Sequence, residues 1–275
     1  MTAVQSAYGK LSIFEDFFQP QTSVTLSAVS GYNDVMLIPV SGNFALASTT
    51  DESGGVLGGS GAGAAADGLA ISSNFGVVPG SSNAPAVFEV RLKNSSASDW
   101  RLFVGWQETV VFTTSIVNPF TLSGTTLTAN NGGNVVGFYT DTGATTDDFR
   151  FMASVDGTAS TTAAVKVMPL FQSVSGQSTT TLGSLGVRAG ATLTADQYTI
   201  FRVILNPDGS AEGWIGDATI AGSNLGLELL CRLEAGTLDT TAIYFPHVHM
   251  AANSTGDPTA EIDYYAAKGN RDWTV

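Results

Sequence analysis

Residues 198–216 read YTIFRVILNPDGSAEGWIG. Phe201, Val203 and Leu205 fall at every second position and define one face; Tyr198, Ile200, Arg202 and Ile204 define the other. A period of two is the side-chain period of a β-strand, and the apolar set marks at least one buried face. Asn206-Pro207-Asp208-Gly209 then stops the strand. Pro207 presets φ at the first corner, Asp208 tolerates the bridge region, and Gly209 can take the left-handed position that closes a hairpin. Ala211–Gly216 returns as the partner strand and carries Trp214. The expectation is a hairpin with Phe201, Val203 and Leu205 in the core and 206–209 as an exposed turn. Arg202, on an otherwise apolar face, predicts a sheet whose outer surface is partly open.

Working outward, the same pattern recurs. Ala86, Phe88, Val90 and Leu92 alternate with Val87, Glu89, Arg91 and Lys93, which predicts a half-exposed strand. RLFVGWQ (101–107) is expected to pair with it after a turn at 94–99. Residues 135–140 and 149–155 form a second expected hairpin. Further strands are predicted at 35–40, where Pro39 marks an edge or a bulge, and at 44–47, 165–171, 182–187, 226–233, 243–250 and 261–266. Residues 50–83 are rich in Gly, Ser and Ala and read as a loop. They contain no lysine, so a phosphate cradle ending in Gly-Lys-Ser/Thr is excluded. Residues 1–20 form an N-terminal arm or edge strand, KLSIFEDFF, ended by Pro20. No 20–50-residue repeat is visible, which disfavours propellers and solenoids. The fold class is all-β: a two-sheet antiparallel β-sandwich or jelly roll with long Gly/Ser/Thr-rich loops. Residues 21–265 form a single domain and 266–275 a C-terminal tail.

Charged residues are only 13% of the 275, and the formal net charge is -13. The 11 Lys and Arg are spread singly, so the chain lacks the electrostatic footprint of a nucleic-acid binder and would be repelled by anionic lipid. Cys231 stands alone in an apolar run and is expected to be a buried, inert thiol. MTAVQSAYGKLSIF has no basic segment followed by a long apolar stretch, so a secretory signal is not expected. No run has the length of a membrane span. Synthesis in a cytoplasm is the corresponding expectation.

His247 and His249 are the only histidines and project from one face of a strand. Such a pair binds a metal if a third ligand arrives, and Asp263 or Glu261 on the following strand are the candidates. The alternative is two ordinary polar residues on a sheet face. A cupin site also begins His-x-His but continues to a Glu three or four residues on, where this chain has Ala252 or Asn253. No cofactor is expected. Alternation puts Glu261, Asp263 and Tyr265 on one face, a pattern that invites comparison with retaining glucanases. Retention needs a second carboxyl about 5–5.5 Å from the first. Here Tyr265 or Ala266 stands where the acid should be, so an enzyme is not expected. Trp106, Tyr198, Trp214 and Tyr244 offer aromatic faces for sugar rings, although such residues also fill sandwich cores.

IFEDFF near the start, a Gly-rich segment leading into AVFEVRLK, RLFVGWQET, YTIFRVILNPDGSAEGWIGD and a closing AEIDYYAAKGNRD span most of the chain. Together they resemble a group of bacteriophage virion proteins built on the concanavalin A-like (LamG-like) sandwich. The resemblance implies a non-enzymatic structural protein: a decoration or cement protein on the capsid exterior of the virion, made in the bacterial cytoplasm. Its partners would be the major capsid protein and copies of itself, without nucleic acid or membrane. The expected contact residues are Ile13, Phe14, Phe17, Phe18 and Trp273. The alternative is a carbohydrate-binding adhesin or head-fibre module with a glycan as partner.

Overall fold

A computed structural model of the chain describes residues 10–17, 24–26, 30–32, 34–40, 44–48, 57–61, 68–81, 84–94, 100–108, 118–123, 126–129, 133–141, 150–155, 165–167, 196–217, 227–253 and 259–270. Short alternating runs broken by Gly, Pro, Asn and Asp make these residues almost entirely β. The first seven strands are β1 (Lys10–Glu15), β2 (Val24–Leu26), β3 (Ser30–Tyr32), β4 (Val35–Val40), β5 (Phe44–Ser48), β6 (Leu57–Gly61) and β7 (Gly68–Ser73). Next come β8 (Ala86–Asn94), β9 (Trp100–Gln107), β10 (Phe120–Ser123), β11 (Thr126–Ala129), β12 (Val135–Asp141), β13 (Arg150–Ser154) and β14 (Val165–Val167). The last five are β15 (Tyr198–Leu205), β16 (Ala211–Asp217), β17 (Glu228–Leu233), β18 (Phe245–Ala252) and β19 (Thr259–Asn270). Among the described residues no helix is long and apolar enough to cross a membrane.

Two antiparallel sheets face each other. Sheet A runs β17-β16-β15-β8-β19-β6-β5-β2, with β1 also on β19. Sheet B runs β14-β13-β12-β9-β18-β7-β4-β3. Strand β19 is long enough to hold β6 beside residues 259–262 and β1 beside residues 265–270, both on the edge opposite β8. The terminal piece is thus an edge strand of sheet A.

The hairpin at 198–216 forms with Leu205 opposite Ala211. Gly209 takes φ 75°, and its N–H donates to the Asn206 carbonyl at 3.1 Å. The Asp208 carboxylate accepts from the Ser210 hydroxyl and N–H, which holds it below the usual carboxylate range. The turn is less exposed than its sequence implies. Gly236 N donates to Asp208 O and Leu238 N to Gly209 O, so the segment after β17 lies across it and buries Gly209.

Other expectations change in ways that follow from sheet assignment. β9 does not pair with β8. It lies in sheet B between β12 and β18, because Leu102, Val104 and Trp106 are needed as the opposing wall of the core. Within 50–83, β6 and β7 are strands, and β7 is buried at all six positions. The stretch beginning at residue 266 is no tail, since β19 continues through Asn270. The predicted strand 182–187, residues 168–171 and the Cys231 side chain lie outside the described residues. The hairpin of 135–140 with 149–155 forms as β12–β13.

Between the sheets lies one aromatic-rich core. Phe88 contacts Tyr265 at 4.9 Å and Trp106 at 6.0 Å between ring centroids, and Phe138 lies 5.1 Å from Phe151 and 5.4 Å from Phe201. Burying each such side chain contributes about 1.5–3 kcal/mol. Gly213 makes room for them, since a Cβ there would sit 2.5 Å from the Phe151 ring.

Candidate binding face

His247 and His249 lie on the outward side of β18, away from the inter-sheet core, and both are fully buried. Their rings are 6.2 Å apart, with Phe103 6.2 Å from His247. All four ring nitrogens lack a hydrogen-bond partner among the described residues. Burial pushes the His247 imidazole down to about 3 and His249 well below its ordinary value, with the His247 and Arg101 charges adding to the latter. The third ligand expected from Asp263 is not available. Strand β19 follows β18 in sequence but belongs to sheet A, where Asp263 pairs with Arg91. Among the described residues no group of three metal-ligating side chains forms. In the neighbouring polar cluster the Asp141 carboxylate accepts from Arg101 at 3.3 Å, Tyr139 at 3.2 Å and Asn253.

On β19 a bulge resets the alternation. Ile262 pairs with Leu92 and Tyr264 with Arg91, so Asp263 is an extra residue. Tyr265 therefore turns into the core and donates its hydroxyl to Pro246 O at 2.8 Å, while Tyr264 takes the outer face. Glu261, Asp263 and Tyr265 do not share one face. Glu261 pairs with Lys93 at 2.7 Å and accepts the Tyr198 hydroxyl at 3.1 Å. Both carboxylates are held by cations of β8.

Outer sheet A carries a continuous polar ladder. Glu89 accepts from Arg202 at 2.5 Å and from the Tyr264 hydroxyl at 2.6 Å. Burial first, then this bond, pushes the Tyr264 phenol up. Glu212 accepts the Trp214 indole N–H at 3.1 Å and lies 3.8 Å from Arg232. Register places Phe14, Ala266, Glu89, Arg202 and Trp214 side by side on one rung. Four strand spacings make that rung about 19 Å long. The next rung carries Ser12, Lys268, Val87 and Ile204. Ala266 and Val87 are short, so the middle is depressed into a groove of ≈ 540 Å³ walled by Phe14, Tyr264, Arg202, Ile204 and Lys268. Phe14 stacks on Tyr264 at 5.9 Å and 24°, and remains 47% exposed.

The contact residues expected at the N-terminus therefore divide. Phe14 faces the groove. Ile13 and Phe17 point into the core, Phe17 against Tyr32 at 5.5 Å, and offer no surface. They do so because β1 alternates and because the chain turns in after it, with Phe17 N donating to Glu15 Oε1. Phe18 and Trp273 lie outside the described residues. The aromatic set divides as well. Trp106 and Tyr244 are fully buried core residues. Tyr198 is covered by the Arg91 guanidinium at 4.0 Å and the Lys93 ammonium at 4.9 Å. Trp214 stays half-buried on the outer face. Sequence reasoning missed Tyr264, because only the bulge brings it outward.

This arrangement is the concanavalin A-like β-sandwich, the architecture of the legume lectins. No family model and no curated protein matches the chain. Among solved structures, lectin II from Ulex europaeus is similar at TM-score 0.52 with 8% identity, covering 94% of this chain and 98% of its own. Peanut lectin is similar at TM-score 0.51 with 12% identity, covering 94% and 97%. A protein of unknown function from Shewanella oneidensis MR-1 is similar at TM-score 0.52 with 10% identity, covering 99% and 92%. At these identities the likeness is one of fold.

Proposed function

We propose that the chain is a non-catalytic binding module that takes carbohydrate on the outer face of sheet A. One observation carries this reading: the stacked Phe14–Tyr264 pair stands beside a groove that the paired Glu89 and Arg202 also line. An aromatic wall suits the apolar face of a pyranose, and a paired carboxylate and guanidinium suit its hydroxyls. A glycan array probed with the intact chain tests it. Tyr264→Ala and Phe14→Ala should abolish retention while leaving the unfolding midpoint nearly unchanged. If both variants bind as the parent does, this face is not the site.

A second reading is favoured by the exposure of Phe14 on the first described strand. On that reading the same face attaches the protein to a phage capsid exterior, with the major capsid protein and neighbouring copies as partners. Many weak repeated contacts would stabilise the shell by multivalency. The virion surface is then the location. Phe14→Asp should lower the copy number found on purified particles. Truncating 1–18 is a poor test, since it removes β1 from β19 and Ile13 and Phe17 from the core.

A further inference from the structure

We infer that the ligand of this groove is an acidic sugar, bound with its anionic group at Lys268 and its ring against Phe14 and Tyr264. The inference rests on the carbohydrate reading above and goes beyond it in naming the sugar class. Among the described side chains, the basic residues Arg91, Lys93, Arg202, Arg232 and Lys268 project from this one outer face. Four carboxylates of the same face, Glu89, Glu212, Glu261 and Asp263, are each ion-paired with one of them. A chain with net charge -13 thus gathers basic side chains on one face of one sheet.

The distribution within the face is more specific than its sum. Arg91 is matched by Asp263, Lys93 by Glu261, Arg202 by Glu89 and Arg232 by Glu212. Lys268 is exposed, and no described carboxylate lies within ion-pair distance of it. It is also a wall of the groove. Ser12 is its partner across β1, and Phe14 stands two residues further along that strand. Phe14 is thus the diagonal cross-strand neighbour of Lys268, about 7–8 Å away. A single acidic sugar residue can span the Lys268 ammonium and the exposed Phe14 ring.

The chain's overall negative charge does not prevent this. Beyond a Debye length of about 8 Å at physiological ionic strength the other carboxylates are largely screened, whereas a contact at Lys268 is not. Recognition is consequently short-ranged, and a neutral sugar leaves the lysine without a partner.

The test uses an array of uronate-terminated and sialate-terminated oligosaccharides printed beside their methyl esters, which keep the ring and remove the charge. The intact chain should retain the acids about tenfold better than the esters, since a charge-assisted contact is lost in the ester. Lys268→Gln should bring acids and esters to equal retention; Tyr264→Ala should weaken both. Equal retention of acids and esters, or a preference that survives Lys268→Gln, overturns the acidic assignment and leaves the carbohydrate reading standing. Retention of no glycan overturns both.

Discussion

Trp106 donates its indole N–H to the Val203 carbonyl at 3.1 Å, joining β9 of one sheet to β15 of the other across the core. Sandwich sheets meet through side chains, so a polar bond between them fixes how they sit on each other. Trp106→Phe removes the donor and part of the ring. Stability should fall by about 1–3 kcal/mol, read as a lower urea midpoint. Glycan retention should be unchanged, because the residue is buried and far from the outer face. An unaltered midpoint would show that the bond contributes nothing.

Adjacent tyrosines on β19 should behave oppositely. Tyr265 is fully buried and packs on Phe88 at 4.9 Å. Its replacement by Ala should cost about 3–5 kcal/mol, the range for large aromatic truncations in cores. Tyr264→Ala should cost far less and act on binding instead. Differential scanning calorimetry of both variants separates the two roles, and similar losses would mean that the bulge does not divide the strand as described.

Stability should fall in mild acid. The His247 ring titrates at about 3 in the folded chain, against about 6.5 when unfolded. A base with a depressed folded pKa gives the unfolded state the greater proton uptake. The folded state is therefore at full stability above pH 6.5 and weakens as pH falls toward 3, by about 1.4 kcal/mol per pH unit for this residue. His249 shifts in the same direction. Arg101, the charged neighbour on β9, is itself paired with Asp141 and does not relieve the cost. Urea titrations from pH 7 to 5 should show the decline, and a His247→Gln, His249→Gln variant should flatten it. A parent curve already flat over that range refutes the account.

Gly209 holds φ 75° under the covering segment, with Leu238 O only 2.9 Å from where a Cβ would be. Gly209→Ala should destabilise by about 1–2 kcal/mol from the left-handed backbone alone, and more from the close approach. Thermal unfolding measures it. A gain in stability would mean that the turn relaxes.

Much of the fold was legible because β-periodicity is local. Phe201, Val203 and Leu205 are buried at the positions that alternation assigns, and Arg202 marks the open sheet as its charge implied. Sheet membership is not local. β8 and β9 are consecutive, yet they belong to opposite layers, and nothing between them announces the crossing. The same problem misplaced Asp263 beside the histidines. Bulges are equally silent: Ile262-Asp263-Tyr264 looks like an unbroken alternation, and the one extra residue exchanges the faces of two tyrosines. The candidate site was therefore half visible. Phe14 and Trp214 could be named, but their common rung required the register of five strands.

The first and last described strands lie side by side, with Lys10 opposite Asn270. The described strands therefore begin and end at a single doorway, one strand spacing wide. Anything fused before residue 10 or after residue 270 would pull on the same point, so the body would hang as a pendant rather than serve as a link in line. Force applied at residues 10 and 270 would unzip β1 from β19 pair by pair, starting at that end, before it loaded the remaining strands. A joint at that doorway, with new ends opened in a distant loop, would preserve every pairing in both sheets.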